Sequence, residues 1–439
     1  MNWPKRLAGD LFDIQLGKML SEKARTGMQR PYLANFNVQW GRFDLSDLNQ
    51  MAFSEREQEK FSIQPNDLLM CEGGEIGRCA VWTDQSCSLF YQKALHRLRA
   101  RDERINPYFM YFYMQHISTK GDLPKLVGET SIAHLTREKL VDLPVPTPPR
   151  AVQDEIVEVL MIWESSIEKT EHLIAAKERH YSHELSWLIS RGQHPHDHVG
   201  AFTEEVSARN RGGQWRIVAL SDIATVWKGQ QLNKDAMVED GAYYALNGGI
   251  KPSGRTTEWN CEADTITVSE GGNSCGFASY NRENFWCGGH CYALKKLARD
   301  VDALYLFHYL KGKQTRLMAL RVGSGLPNIQ KSDIEAFPVI LPDLATQTTI
   351  ARYLNAMREE IDLLGQSVAA LKTQKRGLMQ KLLTGQWRLS IVDAPSPPAP
   401  LAGEGGRRPG EGLRAENKTA PEEVQSRLAD REKPNPCNE

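Results

Sequence analysis

Two stretches of this chain carry apolar residues at heptad spacing over an unusual length. In the later one, Ile350, Leu354, Met357, Ile361, Leu364, Val368 and Leu371 follow in alternating steps of four and three, the pattern of a helix packed along one seam. The earlier one gives Ile156, Leu160, Trp163, Ile167, Ile174, Tyr181, Leu185 and Leu188, weakened at Thr170 and Lys177. Gly192 and Gly385 punctuate the two ends, as glycine does past a helix C-terminus. About 40 residues at ~1.5 Å each make a rod of roughly 60 Å, longer than one core needs, so the two seams are expected to pack together. Elsewhere the apolar runs are short. They predict strands at Asp67–Met70, Ala80–Trp82, Thr265–Val268 and Tyr292–Lys295, and helices near Pro107–His116 and Ala303–Lys313. The regions between the long helices read as α/β with much irregular loop.

The pattern is written twice. Trp3 and Trp215, Asp10 and Asp222, Gly17 and Gly229, Tyr32 and Tyr244, and Asn35 and Asn247 all stand 212 residues apart. CEGGEIG from Cys71 resembles SEGGNSCG from Ser269. Leu135 and Ile329, Leu140 and Ile334, Pro144 and Pro338, Val145 and Val339, Pro148 and Pro342, and Gln153 and Gln347 are separated by 194. The shrinking interval means loop residues are missing from the second copy, while the frame is retained. The expected order is a first module over 1–149, a long helix over 150–191, a polar linker over 192–214, a second module over 215–343, a second helix over 344–386 and a tail over 387–439. The Pro/Gly-rich tail is expected to be disordered.

Bulk properties narrow the function classes. The 439 residues suffice for several domains, and 41% hydrophobic content is ordinary for globular proteins. No apolar run approaches the roughly 18–20 residues of a membrane span, and MNWPKRLAGD lacks a signal-peptide core. Eight scattered cysteines suggest a reducing cytoplasm. A net charge of −1 means any phosphate-binding surface must be a local face.

Individual motifs read blandly. Asn106–Phe109, NPYF, resembles the adenine-holding motif of amino-methyltransferases, but its repeat partner Asp302–Tyr305 keeps neither Asn nor Pro; Pro107 suits a first helical turn. The EGG segments lack a following Lys-Ser/Thr and read as tight turns rather than phosphate loops. Cys287, His290 and Cys291 have zinc-ligand character but no second pair, so packing cysteines are favoured. No Walker loop, HExxH or nucleophile elbow is present. The copies share glycines, prolines and aliphatics and differ in polar loops: NVQWGR from Asn37 stands against GIKPSGR from Gly249. Related binding sites for different ligands would look like this.

NGGIKPSG, DTITVSEGGNSCGFA and the LPVPTPP and FPVILP exits into Gln-bearing heptad helices resemble the specificity subunits of type I restriction–modification systems. The resemblance implies two tandem α/β target-recognition domains, each reading half of a split DNA site. It implies two long antiparallel coiled-coil helices as spacer and an internal pseudo-twofold repeat. Half-sites on one DNA face lie roughly 34 Å apart per turn. It also implies a non-catalytic chain that binds no cofactor, with double-stranded DNA, two modification subunits and restriction subunits as partners. S-adenosylmethionine, ATP and Mg would then be held by those partners.

Candidate DNA contacts in the first module are Lys18, Arg25, Arg30, Asn37, Gln39, Arg42, Arg78 and His134. In the second they are Lys228, Gln230, Asn247, Lys251, Arg255, Asn273, Asn328 and Lys331. Arg and Lys suit guanine, Asn and Gln adenine. The spacer and subunit-docking candidates are Ile156, Leu160, Trp163, Ile167, Ile350, Leu354, Met357, Ile361, Leu364 and Val368. The competing readings are a stand-alone DNA methyltransferase or nuclease, and a coiled-coil scaffold that binds only protein.

Overall fold

The computed structural model describes residues 3–19, 27–84, 88–123, 134–189, 215–323 and 327–388. The linker residues 190–214, with Gly192, and the tail from 389 lie outside the described residues. The chain divides into two compact units, Met1–Thr170 with Val368–Glu439, and Glu171–Ser367. Their boundaries fall inside the long helices rather than at the module ends.

The first module runs β1 (Lys5–Leu7), α1 (Ala8–Leu11), β2 (Phe12–Leu16), β3 (Met28–Leu33), β4 (Val38–Gln39), β5 (Arg42–Phe43), β6 (Asn49–Phe53), α2 (Glu55–Phe61), β7 (Leu68–Cys71), β8 (Cys79–Val81), β9 (Phe90–Tyr91), β10 (Leu95–Ala100), α3 (Pro107–Thr119), α4 (Arg137–Val141) and β11 (Pro144–Pro146), then the long α5 (Arg150–Ile189). Its main sheet has the order β2-β10-β7-β8, beside a smaller β6-β3-β9 sheet and the β1-β11 pair. Leu68, Leu69, Met70 and Cys71 are all buried, because β7 is a central strand covered on both faces; that is why it reads as an unbroken apolar run rather than an alternating one. The apolar α3 buries nine residues, including Phe109, Phe112 and Met114.

The second module runs β12 (Arg216–Ala219), α6 (Leu220–Ile223), β13 (Thr225–Lys228), β14 (Tyr243–Leu246), β15 (Gly254–Thr256), β16 (Thr265–Ser269), β17 (Ala278–Asn281), β18 (Phe285–Cys287), β19 (Cys291–Lys295), α7 (Ala303–Gly312), α8 (Gln314–Ala319), α9 (Lys331–Glu335) and β20 (Pro338–Leu341), then α10 (Leu344–Leu383). Its sheets have the orders β13-β19-β16-β17, β15-β14-β18 and β12-β20, matching three sheets of the first module, whose additional β4-β5 pair has no counterpart among the described residues of the second. Helix and sheet content is mixed as expected, but the strict α/β expectation needs correcting. Both four-stranded sheets are antiparallel throughout, and among the described residues parallel pairing occurs at β3–β9, at β14–β18 and in one isolated bridge, Lys18–Gln92. Helices therefore flank the sheets instead of crossing between parallel strands.

The spaced residues of the repeat build one clamp twice. Gln153 Nε2 donates to Arg104 O (2.8 Å) and Pro148 O (2.9 Å), and its Oε1 accepts from Asn106 N (2.9 Å). Gln347 Nε2 donates to Asp300 O (3.0 Å) and Pro342 O (2.9 Å), and its Oε1 accepts from Asp302 N (2.9 Å). Each glutamine is buried, so its amide satisfies loop groups that water cannot reach. Asn106 and Asp302 are helix N-caps, accepting from Tyr108 N at 2.9 Å and Tyr305 N at 3.0 Å. The NPYF segment is thus a helix start. Tyr113 and Tyr309 hydroxyls donate to the carbonyls of the paired prolines, Pro144 (2.9 Å) and Pro338 (3.1 Å).

The long helices close close to the predicted limits, and Gly385 takes φ 79° after α10. Ile156, Leu160, Trp163, Ile167, Ile350, Leu354, Ile361 and Val368 are all buried, while Met357 and Leu364 are half-buried. Within the second unit, Lys177 meets Glu360 at 2.7 Å. Tyr181 feels the charge of Arg358, and Tyr353 that of Glu184. Numbers rise along α5 as they fall along α10, so the segments run antiparallel there. In the first unit Lys375 of α10 pairs with Glu164 of α5. Trp387 and Arg388, expected in the tail, are among the described residues: Lys381 of α10 lies 3.8 Å from the Trp387 ring, and Arg388 lies 5.5 Å from the ring of Trp3, near the start of the chain.

Candidate nucleic-acid interface

In the second module the two glycine turns face one cleft. β16 ends at Ser269, and Glu270, Gly271 and Gly272 follow, Gly272 at φ 74°. Across from it, Asn247-Gly248-Gly249 leaves β14; Gly248 takes φ 83° and a Cβ there would meet His290 O at 2.9 Å. Only glycine fits both constraints. A cavity of about 630 Å³ lies between, lined by Lys228, Asn247, Glu270, Ser274, His290 and Asn328 among others. Lys228 Nζ donates to Glu270 Oε1 at 2.7 Å, and the Tyr292 hydroxyl donates to the same oxygen at 2.9 Å. His290 Nδ1 lies 3.8 Å from Glu270 Oε2. Burial, and then the neighbouring Glu270 carboxylate, push the Tyr292 phenol up, so it stays a hydrogen-bond donor. Backbone bonds fix the frame: Glu270 N donates to His290 O and Ile329 N to Glu270 O, each at 2.9 Å.

The first module keeps this frame and changes its chemistry. Leu135 N donates to Glu72 O at 2.9 Å, as Ile329 N does to Glu270 O. His96 stands opposite Leu16 in the β2–β10 register, where Tyr292 stands opposite Lys228 in β13–β19. His96 Nε2 lies 2.8 Å from Leu135 O, and burial pulls the imidazole below its ordinary pKa. Trp40 Nε1 donates to Glu75 Oε1 at 2.6 Å. Arg78 bonds Glu75 at 3.2 Å and Asn35 O at 2.8 Å. His134 is exposed beside Gly73, whose added Cβ would lie 3.2 Å from the ring.

The structure sorts the predicted contacts. Lys228, Asn247 and Asn328 meet in the cleft. Arg42, Lys251, Gln230 and Asn273 are exposed. Gln39 donates to Phe36 O at 2.8 Å, and Lys331 pairs with Glu335 at 3.2 Å on α9. Arg30 borders a separate cavity of about 410 Å³, and Arg25 lies outside the described residues. Some expectations need correcting. Lys18 is 3% exposed, bonded to Ala52 O and to Glu57, the capping-box acid of α2. Asn37 is 1% exposed and spends its amide on Ala34 N, Asp44 O and Asp47 O. Both serve the loop frame, because a buried polar group must find internal partners. Arg255 is exposed as a residue, but its guanidinium is tied to Gly241 O (2.5 Å) and Ala242 O (2.9 Å).

Glu270, Tyr292 and His290 were not among the predicted contacts. The repeated acid before each GG pair was the available signal. Cys287 and Cys291 sit in a buried cluster with Cys261, Phe285 and Ala293, while His290 between them faces the cleft. Among the described residues no group of three or more His, Cys, Asp or Glu is arranged to hold a metal.

Comparison with known proteins agrees with this picture. The family model for the type I restriction modification DNA specificity domain matches residues 1–177 and 213–373. A protein named as a type I specificity subunit of Mycoplasma pneumoniae is 29% identical over 177 residues, 40% of this chain and 47% of that protein; the chain spans about half the length of that relative. One named as the MjaX specificity subunit of Methanocaldococcus jannaschii is 20% identical over 414 residues, covering 88% of this chain and 94% of that protein. The crystal structure of a type I restriction-modification S subunit from M. genitalium superposes with TM-score 0.62 at 20% identity, covering 87% of this chain and 96% of that one. That likeness concerns the fold.

Proposed function

Since this chain belongs to the family of type I restriction modification DNA specificity domains, we propose that it is the DNA-reading subunit of such a system. Each module reads one half of a bipartite target, and the paired helices set the half-site spacing and dock modification and restriction subunits. One observation carries the two-reader part. The modules share strand order and register, yet put Leu16 and His96 where the other has Lys228 and Tyr292. A frame kept and a polar surface changed is what two readers of different sequences require.

On this reading the chain neither transfers methyl groups nor cleaves DNA and holds no cofactor; S-adenosylmethionine, ATP and Mg act on the partner subunits. The work is cytoplasmic, where the DNA is. No helix among the described residues is long and apolar enough to cross a membrane. The test is a map of methylated adenines in cells with and without the gene. The expected result is loss of one split motif. Methyl transfer by the purified chain alone, or an unchanged map, would sink the proposal.

A further inference from the structure

We propose that Glu270 and Lys228 together read the major-groove edge of one base pair: the carboxylate accepts from an exocyclic amino group while the ammonium donates to the carbonyl oxygen beside it. This deepens the functional reading above and rests on it.

The geometry of the pair carries the inference. Glu270 Oε1 is occupied by Lys228 and Tyr292, at 2.7 and 2.9 Å. Among the described residues no hydrogen bond reaches Oε2, and the His290 Nδ1 atom lies 3.8 Å from it. A carboxylate is an acceptor only, so the group that completes Oε2 must be a donor. Phosphate and base carbonyls are excluded by charge and by lone-pair repulsion. Among the groups DNA presents, base amino groups remain, and glutamate is suited to cytosine N4. Lys228 makes one hydrogen bond from its three available donors, and its side chain is 54% exposed against 12% for Glu270. Acceptor and donor therefore stand side by side at the mouth of a cleft. The major-groove edge of a base pair presents the complement: cytosine N4 beside guanine O6, or adenine N6 beside thymine O4.

A purely structural role explains the arrangement poorly. An ion pair with one partner half in water contributes little to folding, while burying the glutamate costs desolvation. The acid is also held rigidly. Backbone bonds on both sides fix residue 270, and the Tyr292 hydroxyl fixes the carboxylate rotation. Rigid placement is what a specificity contact needs. The first module lacks the device, with Leu16 and His96 at the registered positions, so the contact belongs to one half-site.

The experiment uses the native complex assembled on the full chain. The Glu270→Gln variant keeps the side-chain shape but offers an amide of mixed donor and acceptor character. Its adenine-methylation map should lose preference at a single base pair, by roughly tenfold, in one half of the motif, with every other position unchanged. A variant with the wild-type preference overturns the inference. If the variant does not fold, the wild-type complex decides. Target duplexes are made with single cytosines replaced by 2-pyrimidinone, or single adenines by purine; each replacement removes only the amino group. A roughly tenfold loss of binding affinity at one position in the second module's half, other than the methyl-accepting adenine, supports the contact, and the responding arm tells cytosine from adenine. No loss at any position in either arm overturns it. A wild-type complex with no preferred site at all would instead defeat the functional reading itself.

Discussion

The Tyr181 hydroxyl and His308 Nδ1 lie 2.9 Å apart, both side chains buried, one on α5 and the other on α7 of the same unit. His308 Nε2 is buried without a partner among the described residues. Burial pushes the imidazole down to about 4, and the charges of Arg358 and Arg282 add to this against Asp302. The folded unit therefore keeps His308 neutral in a window where the unfolded chain binds a proton. Because the folded value is depressed below the ordinary ~6.5, stability is intact above about pH 6.5, is lost as pH falls toward 4, and is flat below. The full effect is on the order of 3 kcal/mol. Urea unfolding at pH 7 and pH 4.5 should show a smaller acid loss in His308→Gln than in the native chain. Equal losses would show that His308 takes up its proton in the fold.

Lys375 Nζ contacts Glu164 and donates to Gln115 Oε1 at 2.9 Å, 5.3 Å from the Phe112 ring. Burial pulls its pKa down despite the carboxylate. Glu164→Gln should cost about 2 kcal/mol, less than a fully buried pair because a third of Glu164 remains in water. Adding Lys375→Met should recover most of that loss, since an apolar chain needs no counter-charge. Denaturant midpoints of the single and double variants decide it; a double variant as weak as the single would mean the pair is not the cause.

Gly17 and Gly229 are the same structural element. A Cβ on Gly17 would meet Gln92 O at 2.3 Å, and one on Gly229 would meet Gly288 O at 2.2 Å. Both obstacles are backbone and cannot swing aside. Gly229→Ala is expected to cost about 1–3 kcal/mol and to displace the strand end that carries Lys228. The melting temperature should drop and the second-half preference should weaken; an unchanged melting curve would contradict the close approach.

Lys251 and Arg42 are exposed, and neither side chain makes a hydrogen bond or ion pair among the described residues. If they meet phosphate, each alanine variant should weaken binding to all sequences alike and flatten the salt dependence by about one unit of slope. Titrations of the assembled complex at several salt concentrations measure this. A change of sequence preference with an unchanged slope would instead assign them to base edges.

Much of the architecture was legible because it is periodic or spaced. The heptad seams place both 40-residue helices to within a few residues, since burying one stripe of a long helix leaves a repeating record. The paired prolines, glutamines and glycines at constant intervals marked positions where backbone is clamped, and Gln153 with Gln347 proved to be one clamp built twice. The direction of polar side chains was not legible. Lys18 and Lys228 both leave the end of an edge strand in their modules, yet one is swallowed by the cap of α2 and the other opens onto a cleft. Asn37 and Asn247 look alike in the chain and differ in the same way. Periodicity records which face of an element is buried. Whether a polar group on a loop is consumed inside or left for a ligand depends on partners brought from far along the chain, as Tyr292 and Lys228 are brought to Glu270, and only the tertiary structure assembles those.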